Sequence, residues 1–170
     1  EKIPKNPDSR KQKITLKHVL KMATGLDCKD SYLYGRKVLW DMQDSEDWTQ
    51  HVIDLPMKEA PDSRFEYCNG ASYLLTAVLQ KTTKSTGLEF AKKHLFNPLG
   101  ITDIAWKANA QGITIGYAGL YMRPRDMARF GYLYLKNGKW DNRQLLSAHW
   151  VAESTRNLIS ADANTGYGYQ

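Results

Sequence analysis

The chain has 170 residues, a formal net charge of +6, 42% hydrophobic residues and 25% charged residues. That is enough chain and enough apolar content for one domain with its own core. No apolar run approaches membrane-spanning length and the first five residues do not form a signal peptide, so we expect no membrane span. Basic residues crowd the N-terminal part, but without a recognition fold or stacking aromatics we interpret them as a solvated face and expect no nucleic-acid partner.

The helices are predicted from apolar residues at helical spacing and from capping residues at their ends. The polar residues 1–13, with two prolines, come first and predict a surface loop. The helices that follow are marked by a Thr15 cap, a weaker pattern over 31–42, a Ser45 cap with an end near Leu55, a run from Asn69 or Gly70 to about Thr83, a capping box of Thr86 and Glu89, Pro124 as a first residue and a Ser147 cap.

Two of these helices also carry a prediction about which face is buried. The run that ends near Thr83 is apolar on most sides, which is typical of a helix in the middle of a bundle. In the helix that begins at Pro124, the spacing of Met127, Phe130 and Tyr134 predicts an inward stripe. Short strands are predicted at Ile113 and Ile115, in a hairpin over 140–146 and at 166–169.

The most informative segment is 65–70, Phe-Glu-Tyr-Cys-Asn-Gly, which comes just before the long apolar run. It places Tyr67 and Asn69 two residues apart at the start of a helix, so that a proton-transfer group and a hydrogen-bonding amide share one rim. The segment resembles the Tyr-x-Asn element of the serine acyl-transfer enzymes related to β-lactamases and D,D-peptidases. Segments 14–20, 90–103 and 119–130 resemble further landmarks of that family, in the same order.

The resemblance runs from about Ile14 to the end of the chain and implies a fold class. In the α+β fold of serine β-lactamases and D,D-peptidases, a helical lobe packs beside an antiparallel sheet, and the active site lies in the groove between them. We therefore expect residues 14–170 to form a mostly α-helical lobe with short strands. The flanking sheet strands are absent from the chain, so the sheet lobe of the same parent chain is an expected partner.

The chain holds one of the three catalytic elements of this family. No serine is followed three residues later by a lysine, so the Ser-x-x-Lys element with the nucleophile is missing. The Lys-Thr-Gly or His-x-Gly triplet is also missing, because the similar residues 84–87 lie between two helical patterns and are interpreted as a turn and helix cap. The chain is thus predicted to be a central fragment that is inactive alone.

The resemblance implies that the parent is a serine hydrolase that cleaves an ester, amide or peptide bond of a small-molecule substrate through an acyl-enzyme. The alternative is a catalytically inactive homologue that serves as a ligand-recognition or protein-contact module. Retention of both Tyr67 and Asn69 favours the hydrolase.

The resemblance also gives these two residues catalytic roles. Tyr67 would relay a proton from the serine to the leaving group beside the absent lysine, because a free phenol, with a pKa near 10, is a poor base at neutral pH. Asn69 would orient that lysine and the substrate, since an amide both donates and accepts. Each residue also has a purely structural interpretation: Tyr67 as a core tyrosine bonded to backbone, and Asn69 as a helix N-cap.

No cofactor and no metal are predicted. The four histidines form no H-x-x-x-H pair and no His-Asp cluster, which argues against a zinc site. Cys28 and Cys68 either pair in an oxidising compartment or, as we favour from the sequence, remain two buried free thiols. The sequence does not fix the localisation, although the family resemblance favours the periplasm or secretion.

Overall fold

The computed structural model describes residues 2–28, 30 and 36–169. The helices in these residues are α1 (Leu16–Leu20), α2 (Lys37–Asp44), α3 (Trp48–Asp54), α4 (Asn69–Thr83), α5 (Gly87–Ala91), α6 (Pro124–Leu135) and α7 (Ala148–Ser154). A 3₁₀ turn at Lys11–Lys13 precedes α1, and a π-helical turn at Lys92–Phe96 follows α5 directly. The weaker helical pattern over 31–42 is present from Lys37 as α2, while 31–35 lie outside the described residues.

Capping side chains set the starts of several helices, as the sequence predicts. At α1, the Thr15 hydroxyl accepts from the backbone N–H of His18. At α5, Thr86 and Glu89 form the predicted capping box, and the Ser147 hydroxyl caps α7. Each of these bonds satisfies a backbone donor that the first helical turn leaves without a partner.

The predicted Ser45 cap is wrong. α3 begins later, because the Asp47 carboxylate accepts from the backbone N–H of Gln50 at 3.0 Å. Ser45 closes the preceding helix instead: its hydroxyl donates to the carbonyl of Met42 in α2 at 2.7 Å. A serine and an aspartate two residues apart are both good caps, and the sequence pattern alone did not separate them.

α4 occupies the middle of the lobe, as its apolar composition predicts. It packs against α1, α2, α3 and α5. The residues from Asn69 to Tyr73 are all buried, whereas Val78 further along the helix is 37% exposed. Two core clusters flank α4, one of Leu26, Leu39, Met42, Val52, Met57 and Tyr73, the other of Val19, Met22, Cys28, Cys68 and Ala71.

A third core cluster joins the π-helical turn to α6 through Phe96, Leu99, Ile101 and Leu133. The inward stripe predicted for α6 is wrong, because Met127 is 61% exposed and the buried side chains are Asp126 and Leu133. A polar contact also connects this helix to the segment that follows the π-helical turn. The Arg129 guanidinium donates to the Asp126 carboxylate at 3.0 Å and to the carbonyl of Gly100 at 2.6 Å.

The strands pair into two-stranded antiparallel sheets. They are β1 (Ile104–Trp106) with β2 (Leu120–Met122), β3 (Lys139–Trp140) with β4 (Arg143–Gln144), and β5 (Ile159–Ser160) with β6 (Gly166–Tyr167). The predicted hairpin over 140–146 and the strand at 166–169 are confirmed.

The strand predicted at Ile113 and Ile115 is wrong. A bridge between Ala108 and Thr114 is the pairing found there, because the ladder forms between the two ends of the segment, in β1 and β2. None of the helices in the described residues has both the length and the apolar character needed to cross a membrane. The predicted mostly helical lobe with short strands is confirmed.

Candidate active site

Tyr67 and Asn69 lie where the irregular segment 64–68 enters α4. Cys68 is the N-cap of this helix: its backbone is extended, with φ −143° and ψ 109°, and its side chain makes no capping hydrogen bond. Asn69 is the first helical residue, so its interpretation as the N-cap is wrong. Its side-chain amide is used for contacts outside the helix.

The Tyr67 hydroxyl donates to Oδ1 of Asn69 at 3.3 Å. Tyr67 is 41% exposed, whereas Asn69 is only 8% exposed. Tyr73 shows the contrast with a core tyrosine: it is fully buried, it accepts from the amide of Asn109 at 3.0 Å, and burial raises the pKa of its phenol. Tyr67 is therefore not the backbone-bonded core tyrosine of the structural interpretation. Its side chain is partly exposed, and its hydroxyl bonds to a buried amide.

Asp30 is the third member of this arrangement. Its Oδ2 accepts from the backbone N–H of Asn69 at 2.9 Å and from the side-chain Nδ2 of Asn69 at 3.4 Å. Asp30 is 3% exposed. Burial raises the pKa of its carboxyl, while the hydrogen bonds from Asn69, that from the backbone of Leu39 and the charge of Arg36 oppose the shift.

The two cysteines form a disulfide next to this site, so the sequence-based preference for two free thiols is wrong. Cys28 and Cys68 are bonded across 40 residues of chain, with 5.5 Å between their Cα atoms. The bridge joins the N-cap of α4 to the residue two before Asp30. Sγ of Cys28 lies 3.5 Å from Oδ2 of Asp30, and as a disulfide sulfur it has no proton to donate.

Two further tyrosines lie near these residues. Tyr167 in β6 packs against Phe65, with 4.9 Å between ring centroids. Burial, and then the neighbouring Tyr67, raise the pKa of the Tyr167 phenol. Tyr117 accepts from the amide of Gln43 at 2.9 Å. Burial raises the pKa of its phenol, and the charge of Asp30 adds to that shift.

Sequence reasoning identified Tyr67 and Asn69 but missed Asp30 and Tyr167 as their neighbours. Both are distant in the chain, and neither belongs to a local motif. The one signal for Asp30 was indirect: pairing of Cys28 with Cys68 would have brought residue 30 to the start of α4.

A metal does not fit the cluster that offers the most ligand chemistry in the described part of the chain. Ligand atoms of Cys28, Asp30 and Cys68 lie within 4.8 Å of one another. Both sulfurs are bonded to each other, however, so neither is available as a thiolate ligand.

A separate groove of about 480 Å³ lies between α1, α3 and α4. Its walls are mainly apolar, with Val19, Ile53, Leu74 and Val78 among them, and neither Tyr67 nor Asn69 lines it. It is therefore a different surface from the one that carries Tyr67.

The lobe has the fold of penicillin-binding proteins and related amidases. It matches a protein of Bacillus anthracis assigned as a 6-aminohexanoate-dimer hydrolase with a TM-score of 0.76 and 20% identity, over 92% of this chain and 46% of that one. It matches a penicillin-binding protein of Bacillus halodurans with a TM-score of 0.68 and 19% identity, over 96% and 57%. For the D-amino acid amidase of Ochrobactrum anthropi SV3 the values are 0.59 and 14%, over 85% and 47%.

The model of the beta-lactamase family matches residues 1–170. The chain belongs to the beta-lactamase family, whose members are serine hydrolases. No curated protein sequence matches it. The chain spans about half the length of the solved structures that it matches.

Proposed function

We propose that this chain is the helical lobe of a serine hydrolase that cleaves an ester, amide or peptide bond of a small molecule through an acyl-enzyme. Tyr67 is the proton relay in this proposal and Asn69 orients the reacting groups. The sheet lobe of the parent chain and its Ser-x-x-Lys element would complete the site, because this chain has no such element.

One observation carries the proposal: a half-exposed phenol donates to a buried amide at the start of the central helix. A tyrosine kept only for packing would bury its ring, as Tyr73 does. Tyr67 instead remains 41% exposed, so in this proposal a nucleophile carried by another part of the protein can approach its side chain.

The chemistry follows from the direction of this hydrogen bond. Because the phenol proton points to Oδ1 of Asn69, the lone pairs of the phenol oxygen are left for a second partner. In the proposed reaction the serine hydroxyl attacks the substrate carbonyl, and its proton passes through the Tyr67–lysine pair to the leaving group. Water then attacks the acyl-enzyme, releases the acid and returns the proton to the serine.

One of the similar structures is named as a D-amino acid amidase, and another as a 6-aminohexanoate-dimer hydrolase. Amides therefore belong in the substrate panel for this protein, beside simple esters and cephalosporins. For localisation we propose the periplasm or secretion, since the Cys28–Cys68 disulfide requires an oxidising compartment to persist.

The test compares Tyr67→Phe with the unsubstituted protein, in the longer protein that carries the Ser-x-x-Lys element. Removal of one hydroxyl is expected to slow acylation by about 10²–10⁴-fold with an unchanged melting temperature. Tyr132→Phe is the matched control, because Tyr132 is 48% exposed and lies on α6.

This chain alone should not hydrolyse any substrate in the panel. Turnover by the purified chain, with contaminating hydrolases excluded, would contradict the assignment. A longer protein that binds substrates without turnover would instead support the inactive homologue. If Tyr67→Phe lowered the melting temperature and left acylation unchanged, Tyr67 would be a structural residue.

A further inference from the structure

We propose that Asp30 is a positioning residue for the candidate active site: it fixes the orientation of the Asn69 amide and, through that amide, the direction of the Tyr67 hydroxyl. The inference rests on the proposed function and deepens it. Asp30 acts on Tyr67 through Asn69, because it accepts from both the backbone and the side-chain N–H of that residue.

The donors and acceptors allow one orientation of the amide. A side-chain amide can be turned by 180° with almost no change in shape, so its hydrogen bonds decide which end faces which neighbour. An ionised carboxylate only accepts, so Nδ2 of Asn69 must face Oδ2 of Asp30, 3.4 Å away. Oδ1 then faces Tyr67, whose hydroxyl must donate to it. The turned amide would place two oxygens against each other.

This orientation matters for the proposed proton relay. With Oδ1 of Asn69 as acceptor, the oxygen of Tyr67 is held in one place with its lone pairs free. It can take the proton of the serine only as its own O–H bond breaks and that proton moves on toward the leaving group. With the amide turned, Nδ2 would donate to the phenol oxygen, and the hydroxyl would lose the acceptor that holds it. Asp30 thus fixes the position of the Tyr67 hydroxyl from which the proton transfer starts.

The surroundings of Asp30 suit this role because they hold its carboxyl group in one place. The carboxylate accepts from the first backbone N–H of α4 and interacts with the backbone N–H of Leu39 in the first turn of α2. The N-terminus of a helix carries partial positive charge, so both helices oppose the rise in the pKa of this carboxyl that burial causes. The disulfide of Cys28 to Cys68 ties this segment to the same helix start.

The experiment is a double-mutant cycle in the longer protein, with Asp30→Asn and Asn69→Ala made singly and together. Asparagine has the shape of aspartate and can still accept from the backbone N–H of Asn69, but its amide no longer enforces one orientation of the Asn69 side chain. We expect Asp30→Asn to lower kcat by about 10–100-fold with KM changed less than about threefold. In the Asn69→Ala background the same substitution should have no further effect on kcat.

Asp126→Asn is the matched control, because Asp126 is also a buried aspartate but bonds to Arg129 on α6. It should change the melting temperature and leave kcat unchanged. A residue that only stabilised the fold would lower kcat equally in both backgrounds, and that additive result would refute the role of Asp30. A wild-type kcat in Asp30→Asn would refute it too.

Two further outcomes are separable. If Asp30→Asn does not fold, Asp30→Glu replaces it in the cycle, because glutamate keeps the carboxylate but moves it. Asp30→Glu should lower kcat when Asn69 is present and leave kcat unchanged in the Asn69→Ala background. Equal losses of kcat in both backgrounds would refute the inference. If the unsubstituted longer protein shows no turnover on any substrate, the proposed function fails and takes the inference with it. If the longer protein is active, an additive double-mutant cycle or an unchanged kcat in Asp30→Asn refutes the role of Asp30 and leaves the proposed function standing.

Discussion

Loss of the Cys28–Cys68 disulfide should destabilise the chain by several kcal/mol. The bridge closes a loop with a sequence separation of 40 residues. For a loop of that length, the chain-entropy model removes about 13 cal/mol/K from the unfolded state, or about 4 kcal/mol at 25 °C. For a domain of this size, that corresponds to a fall in the melting temperature of about 10 °C.

The assay is urea unfolding of the chain, followed by far-UV circular dichroism, with and without dithiothreitol. Reduction keeps both sulfurs in place, so the difference in unfolding free energy reports the cross-link rather than lost packing. Both cysteines are about 1% exposed, which makes Cys28→Ala with Cys68→Ala a less direct measure because it also leaves a cavity. The double variant serves as the control and should be insensitive to the reductant.

Two results would refute this reasoning. One is a loss of unfolding free energy below about 1 kcal/mol on reduction, which would mean that the unfolded chain gains little freedom from the open loop. The other is a thiol titration of the denatured, unreduced chain that finds two free cysteines. That result would show that the bridge is not formed in solution.

Three further predictions concern packing, pH and exposed apolar surface. Gly116→Ala should cost about 1–3 kcal/mol of unfolding free energy, because the new Cβ would lie 2.2 Å from the carbonyl oxygen of Ser72. Gly131→Ala is the control and should stabilise α6 by up to about 1 kcal/mol, since no neighbouring atom lies within 4 Å of its new Cβ. Urea titrations that rank the two variants otherwise would contradict the packing at α4. The hydrogen bond from the buried Lys21 lowers the pKa of Asp62, so the stabilisation from this pair should be full above about pH 4 and lost as the pH falls. The difference in unfolding free energy between the unsubstituted chain and Asp62→Asn should therefore disappear in acid. A difference that stays constant with pH would refute this. The chain alone should bind a hydrophobic dye or self-associate through apolar surface such as the groove lined by Leu74 and Val78, and a monomeric, dye-silent, cooperatively unfolding chain would show that the helical lobe is self-sufficient.

The sequence predicted the parts of the fold that depend on local chemistry. The starts at Thr15, Thr86 and Ser147 were correct because an N-cap bond involves only residues two or three positions apart. The buried face of α6 was wrong for the opposite reason. Its buried residues are Asp126 and Leu133, and a contact of this helix, from Arg129 to the carbonyl of Gly100, spans 29 residues and involves a charged side chain that apolar periodicity ignores.

The candidate site divides in the same way. Tyr67 and Asn69 could be proposed from the sequence because they belong to one short segment with a family resemblance, and their catalytic roles stay a prediction. Asp30 was not found, since it reaches Asn69 across 39 residues, and the disulfide that brings the two together was itself misjudged. No spacing within the sequence encodes a contact of that kind.

These contacts suggest that, in the proposed enzyme, this lobe positions the proton relay and another part of the protein carries the nucleophile. Within the described residues, the groups proposed to orient Tyr67 lie in this lobe: the amide of Asn69, the carboxylate of Asp30 and the disulfide that joins both segments. On this proposal the lobe holds its half of the site in place without help from the nucleophile. Catalysis by a positioned proton relay depends on geometry that is set before the substrate arrives. Substitutions in this network, of which only Tyr67 is exposed, should therefore affect kcat more than KM, even at its buried members.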